Sequence, residues 1–162
     1  MSAIVLGVDP GSLNTGFGVI LAEGDRLTHL AHGQIALANR IPLEMRLCQI
    51  YDRLRELIEA HQPHTVALEE IFLANNVKSA FVMGQVRGVV LLAAAKASLP
   101  VHLYPPLVVK KAVVGYGRAG KSQVKLMVEQ LLGIKVNNHH AADALAVGVC
   151  HLFHSRTLKF YS

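Results

Sequence analysis

An apolar run near the start of the chain ends in a single carboxylate. Residues 3–8 are apolar or glycine, and Asp9 follows them directly, before the turn-forming pair Pro10-Gly11. Such a run is typical of a strand inside a sheet. An acid at the end of a buried strand is costly unless a metal ion, a cation or a proton compensates its charge, so it is usually functional. The fold must therefore bring compensating partners to Asp9.

Size and composition indicate one well-packed domain. The chain has 162 residues, of which 52% are hydrophobic and 17% are charged. A chain of this length buries most of the surface that its unfolded form exposes, and its apolar content argues against extensive disorder. The formal net charge of +5 favours an anionic partner, with nucleic acid as the first candidate.

The chain shows the features of a cytoplasmic protein. Its first apolar run has no basic leader and no cleavage site, which argues against a signal peptide. A second apolar stretch over 88–99 contains Lys96 and follows Arg87, which leaves too little uninterrupted length for a membrane span. Cys48 and Cys150 have neither metal-ligand spacing nor a disulfide framework.

The apolar periodicity predicts a mixed sheet with helices on both faces. Strands at 3–9 and 16–22 are joined by turn formers and favour a hairpin, to which 28–37 could add a third strand. Further strands are expected at 65–68 and 101–104, and helices at 42–62, about 76–98, 123–132 and 140–154. Three leading strands followed by alternating helices and strands are typical of an α/β fold with an antiparallel meander and added parallel strands.

The helix over about 76–98 is apolar on nearly every side. Such a helix is either wrapped by its own domain or shared with a second subunit, because a one-sided surface helix would show a polar stripe. We therefore predict that it forms part of a dimer interface, with Val86 and Val90 at the contact.

Four metal-ligand side chains are expected at one edge of the sheet. The end of the first strand can lie beside the end of the fourth, which would make Asp9 and Glu69 neighbours, whereas Glu70 would point to the opposite face. His140 and Asp143 share one face at the start of the last helix. Oxygen ligands of this kind select Mg²⁺ or Mn²⁺, and two such ions about 4 Å apart can support phosphodiester hydrolysis. A basic protein with this site is interpreted as a nuclease.

Five segments carry a more specific signal. They are LGVDPGSLNTGFGV at 6–19, ALEEIF at 67–72, GQVRG at 84–88, VVGYGRAGKSQV at 113–124 and AADALA at 141–146. Together they resemble the RuvC family of bacterial Holliday junction resolvases, and the resemblance covers nearly the whole chain. It implies a ribonuclease H-like fold, here taken as one nuclease domain over 1–156 with a tail at 157–162.

The resemblance also implies an activity and partners. The expected activity is a homodimeric endonuclease that makes paired nicks on opposite strands of a four-way DNA junction, with 5′-phosphate and 3′-hydroxyl ends, in recombination and DNA repair. RuvA and RuvB are the expected partner proteins. The acidic residues of the family's site fall on Asp9, Glu69 and Asp143.

His140 departs from the pattern, because many members of the family carry Asp at this position. An imidazole in place of an anion should weaken Mg²⁺ and favour Mn²⁺, which matches nitrogen better. His140 could ligate an ion or accept a proton from the attacking water, and both roles are lost when an imidazole is protonated in acid.

Several residues are predicted to contact DNA. Phe72 follows the strand that ends at Glu69-Glu70 and is expected to wedge against unstacked bases, with a place in the core as the alternative. Cations are concentrated between 110 and 125, among glycines that allow close approach to phosphate. These cations are Lys110, Lys111, Arg118, Lys121 and Lys125, of which Lys110 and Lys121 match basic positions of the family near the scissile phosphate.

Two other functions are open. Residues 115–122 satisfy the P-loop pattern and precede a helix, which would suggest an NTPase, but no later strand ends in the acid that such a site needs. Alternatively, the His140 departure could mark a weakened site in a junction-binding module without catalysis.

Overall fold

A mixed five-stranded sheet organises the chain, of which the computed structural model describes residues 2–70 and 76–160. The elements are β1 (Ser2–Asp9), β2 (Asn14–Glu23), β3 (Arg26–Ala36), α1 (Leu43–His61), β4 (Thr65–Glu69), α2 (Val77–Lys96), β5 (Val101–Tyr104), α3 (Pro106–Val114), α4 (Lys121–Leu132) and α5 (His139–Phe160). The strand order is β3-β2-β1-β4-β5. The first three strands form an antiparallel meander, and β4 and β5 are added parallel to β1. The predicted fold class is confirmed.

The structure adds one helix to the predicted order and lengthens the last one. No element is predicted between 104 and 123, yet α3 occupies Pro106–Val114. Its first residue is a proline, which is tolerated there because the first helical N–H has no partner within the helix. α5 continues to Phe160, so the backbone of 157–160, which we assigned to a tail, is helical. The division into a domain and a tail stays a prediction.

The sheet separates two hydrophobic clusters. One cluster includes residues of α3, α4 and α5, and the other includes residues of α1 and α2. In β1, Val5 belongs to the α5 side, whereas Leu6 and Val8 belong to the α1 and α2 side. Because side chains alternate along a strand, Asp9 lies on the α5 side. The same alternation in β4 places Glu69 on that side as well.

Two glycines allow α5 to lie close to the sheet. A Cβ atom on Gly7 would collide with the backbone carbonyl of Ala144, and one on Gly16 would collide with the backbone of His140. Gly16 is also the residue that pairs with Asp9 across β1 and β2. The first turn of α5 therefore packs directly against the end of β1.

α2 buries one apolar face and exposes another. Val86 and Val90 are buried with α1 and the sheet, whereas Phe81 is 72% exposed and Leu92 is 54% exposed. The choice of Val86 and Val90 as contact positions was wrong, because both side chains point into the core. By length and composition α2 could cross a membrane. This is weak evidence for a membrane span, because core helices of soluble proteins meet the same criteria.

Candidate active site

The structure brings the predicted site residues to one edge of the sheet. Val8 of β1 lies beside Leu68 of β4 in the parallel pair, so Asp9 and Glu69 follow at neighbouring strand ends. Both residues line a cavity of about 170 Å³, together with Pro10, Glu70, Met83 and Arg87. From α5, His140 places its Nδ1 atom 3.2 Å from Oδ2 of Asp9.

An asparagine cap begins α5 at this position. Oδ1 of Asn138 accepts hydrogen bonds from the backbone N–H groups of His140, at 2.8 Å, and Ala141, at 3.1 Å. Asn138 is therefore the N-terminal cap of α5. This cap stabilises the first turn of α5, which contains His140.

The three carboxylates are electrostatically coupled. Burial, followed by the negative charge of Asp143, raises the pKa of Asp9 from 3.8 to about 7, although Lys121 and His139 act in the opposite direction. Burial also raises the pKa of Glu69, with further contributions from Asp143 and Asp9. The pKa of Asp143 is raised by burial and opposed by nearby cations, Lys121 first. Burial thus disfavours the charged form of each carboxyl group more than the nearby cations favour it.

Two of the predicted DNA-contacting lysines lie beside these carboxylates. Nζ of Lys121 is 3.9 Å from Oδ2 of Asp143. The positive charge of Lys110 lowers the pKa of both Glu69 and Asp143, which indicates that it is close to them. These positions agree with the prediction that singled out Lys110 and Lys121, although contact with DNA stays a prediction.

The other predicted DNA contacts are less closely tied to the site. Lys125 pairs with Glu129 within α4 at 3.7 Å. Lys111 and Arg118 are exposed, on α3 and on the loop before α4. Phe72 lies outside the described residues, so its role as a wedge stays a prediction.

The structure argues against the P-loop alternative. A P-loop connects a strand to a helix, but residues 115–122 connect two helices. Gly115 ends α3 in the left-handed conformation, and Gly120 is the residue before the first turn of α4. The resemblance of this segment to a nucleotide-binding loop is confined to its residue types.

The donor set fits hard divalent cations. Three carboxylates with raised pKa values and one imidazole offer the oxygen and nitrogen ligands that Mg²⁺ and Mn²⁺ accept. Within 2–70 and 76–160, however, no three His, Cys, Asp or Glu side chains are close enough together to enclose an ion as they stand. The predicted ligands therefore share one edge without forming a closed coordination shell, and their role as ligands stays a prediction.

Sequence analysis missed a positioning residue on α2. Nη1 of Arg87 donates a hydrogen bond of 2.6 Å to the backbone carbonyl of Glu69. Arg87 also lines the cavity that contains Asp9 and Glu69. This contact holds the end of β4 and thereby the Glu69 backbone. The signal was an arginine in the middle of an otherwise apolar helix, within the GQVRG segment.

Comparison with known proteins identifies the relatives of this chain. The family model described as "Crossover junction endodeoxyribonuclease RuvC" matches residues 5–151. A protein of that name from Syntrophomonas wolfei is 46% identical over 158 residues, which cover 96% of this chain and 92% of the relative. Another, from Parvibaculum lavamentivorans, is 48% identical over 152 residues, which cover 93% and 87% of the two chains.

Solved structures agree with this result. T. thermophilus RuvC in complex with a Holliday junction substrate superposes with a TM-score of 0.91 at 35% identity, covering 96% of each chain. The yeast mitochondrial Holliday junction resolvase Ydc2 has a TM-score of 0.69 at 14% identity, covering 97% of this chain and 82% of Ydc2. At that identity, Ydc2 shows only a shared fold. The ribonuclease H-like class expected from the sequence is confirmed.

In the absence of divalent ions, we expect Asp9→Asn to be more stable than the wild type at pH 8. Because the pKa of Asp9 is raised from 3.8 to about 7, the folded protein holds this proton more tightly than the unfolded chain does. The free energy of unfolding therefore falls as the pH rises through this interval. By pH 8 the carboxylate costs about 2–4 kcal/mol, which the amide avoids.

Thermal unfolding at pH 8 and pH 4 measures this effect. The higher Tm of Asp9→Asn should disappear at pH 4, where the wild-type carboxyl is protonated in the folded state. Adding Mn²⁺ at pH 8 should raise the Tm of the wild type more than that of the variant. Equal pH dependence of the two proteins would contradict the assigned pKa shift.

Proposed function

The chain belongs to the RuvC family of crossover junction endodeoxyribonucleases, and we propose that it resolves four-way DNA junctions by nicking two opposite strands. The observation that carries this proposal is the convergence of Asp9, Glu69, His140 and Asp143 at one edge of the sheet, with raised carboxylate pKa values. The proposed products have 5′-phosphate and 3′-hydroxyl ends. The proposed setting is recombination and DNA repair in the cytoplasm.

Nucleases of the RuvC family depend on divalent metal ions. Ions held at this edge would supply the Lewis acidity that lowers the pKa of an attacking water and offsets negative charge on the leaving oxygen. Asp9, Glu69, Asp143 and His140 are the proposed ligands. If Nδ1 of His140 shares its proton with Asp9, Nε2 is the nitrogen left to bind an ion or to accept a proton.

The cations beside the carboxylates would hold the DNA strand. Lys121 and Lys110 are the proposed contacts to the scissile phosphate, where their charge can also offset the charge that develops during cleavage. Arg118, Lys111 and Lys125 are proposed to contact backbone phosphates further along. Phe72 is proposed to wedge against unstacked bases at the crossover.

Cleavage of a synthetic four-way junction tests the activity directly. Wild-type protein with Mg²⁺ or Mn²⁺ should place paired nicks on opposite strands of the junction and leave a linear duplex of matched sequence uncut. Asp9→Asn should bind the junction but lose about 10³-fold or more in cleavage rate, because an amide is a poor ligand for hard cations. Binding without cutting in either metal would favour the non-catalytic binding module.

We propose that His140 makes the enzyme prefer Mn²⁺. Replacing imidazole by a carboxylate in His140→Asp adds an oxygen ligand and one negative charge, so the ratio of rates in Mg²⁺ and Mn²⁺ should shift towards Mg²⁺, by about 10-fold. Single-turnover cleavage in each metal from pH 5.5 to 8.5 measures this ratio. The cleavage rate of the wild type should fall more steeply towards acid pH than that of His140→Asp. Identical pH–rate profiles for the two proteins would contradict this proposal.

We propose that a second copy of the chain covers the exposed face of α2. Phe81 and Leu92 form an apolar surface there, and Gly84 and Gly88 have open space above them, which permits close approach of another helix. An isologous dimer would present two equivalent sites, which suits a junction with two strands to cut.

RuvA and RuvB are the proposed partners on the same DNA, and co-sedimentation of the proteins with junction DNA would test this.

Leu92→Glu should convert the dimer to a folded monomer, because it introduces a charge into the proposed apolar contact. Sedimentation velocity gives the oligomeric state, and circular dichroism gives the fold. Met45→Glu is the matched control, since Met45 is 51% exposed on α1. A persistent dimer in Leu92→Glu would count against this interface, as would a monomer in Met45→Glu.

A further inference from the structure

A second, larger cavity adjoins the candidate site. It measures about 360 Å³ and lies between the loop after β1, the start of α1 and the first turns of α2. Its lining includes Ser12, Asn39, Arg46, Lys78, Ser79 and Met83. Met83 also lines the cavity that contains Asp9 and Glu69, so the two cavities share a wall. The lining offers two cations, two hydroxyls and one amide, and none of its described residues is acidic.

Arg46 is held in place by the loop that follows Asp9. Its Nε donates to the carbonyl of Ile41 at 3.0 Å, and its Nη1 donates to the carbonyl of Ser12 at 3.2 Å. A guanidinium has five N–H donors, so donors remain for a further acceptor. Ser12 lies three residues after Asp9, so Arg46 connects this cavity mechanically to the metal-ligand edge.

The charge of the two cations is not balanced locally. Among the described residues, no carboxylate forms a salt bridge with Arg46 or Lys78. Ser79 lies in the first turn of the 20-residue helix α2, whose amino end adds partial positive charge. A cavity with this lining is chemically complementary to a phosphate group.

We propose that this cavity binds a backbone phosphate of the junction DNA, adjacent along the strand to the phosphate that is cut. The inference rests on the proposed function, and it adds a contact that the basic segment over 110–125 does not provide. Because neighbouring phosphates follow one another along a strand, a strand whose phosphate lies at Asp9 brings others to the adjoining cavity. Arg46 then holds both the DNA and the loop that contains Ser12.

Lys78→Ala is the direct test, since Lys78 is exposed and its removal leaves the packing intact. Lys96→Ala is the matched control, because Lys96 is an exposed lysine at the opposite end of the same helix. Binding of a labelled four-way junction is measured for both variants at several salt concentrations, in an Asp9→Asn background that prevents cutting. Lys78→Ala should weaken binding about 3–10-fold and reduce the slope of log K against log salt by about 1.

A scan with methylphosphonate linkages locates the contact. Each linkage removes the charge of one phosphate. At one position near the cut, this substitution should weaken DNA binding by the protein that retains Lys78 and leave binding by Lys78→Ala unchanged. Equal losses in Lys78→Ala and Lys96→Ala, or no such position, would overturn the inference. If the wild-type protein cuts junctions, the proposed function survives that result. Failure of the wild-type protein to bind a junction would overturn both.

Discussion

The close contact between α5 and the centre of the sheet is the constraint on which the site depends. Backbone atoms of Ala144 and His140 occupy the space where side chains of residues 7 and 16 would lie. Because both positions are glycine, the first turn of α5 reaches Asp9 at the end of β1. The carboxylates and His140 are thereby positioned by the same packing that forms one of the two hydrophobic clusters. No flexible loop is needed to hold His140 and Asp143.

This arrangement concentrates negative charge in a half-buried location. Burial raises the pKa values of Asp9, Glu69 and Asp143, and the negative charge of Asp143 adds to the rise at Asp9 and Glu69, while Lys121 offsets only part of it. Such a site is less stable without cations than with them. The burial of apolar residues of α5, including Ala141 and Leu145, offsets this loss of stability and anchors the helix against the sheet.

Much of this site follows from local sequence patterns. Two-residue alternation in β1 and β4 places Asp9 and Glu69 on one side, and a spacing of three in a helix places His140 and Asp143 on one face. Contacts between residues far apart in the sequence were harder to predict. Arg87 and Arg46 act through hydrogen bonds to backbone carbonyls, and the sequence does not show which carbonyl a given arginine reaches. The sequence could not show that Val86 and Val90 are buried, because α2 is apolar on both its inner and outer faces. Helix α3 was not predicted, because it begins at two consecutive prolines.

Since α5 begins at the edge that holds the proposed ligands and then runs through the core, the geometry of that edge is coupled to the packing of the whole helix. A change deep in the helix, at Leu145 or Val149, can tilt the first turn and displace His140 without touching the site. Moderate core defects should therefore produce temperature-sensitive alleles that lose DNA processing before the protein disappears from the cell. The same linkage limits how far the positions of the proposed ligands can drift in evolution, because each shift requires repacking of the sheet beneath them.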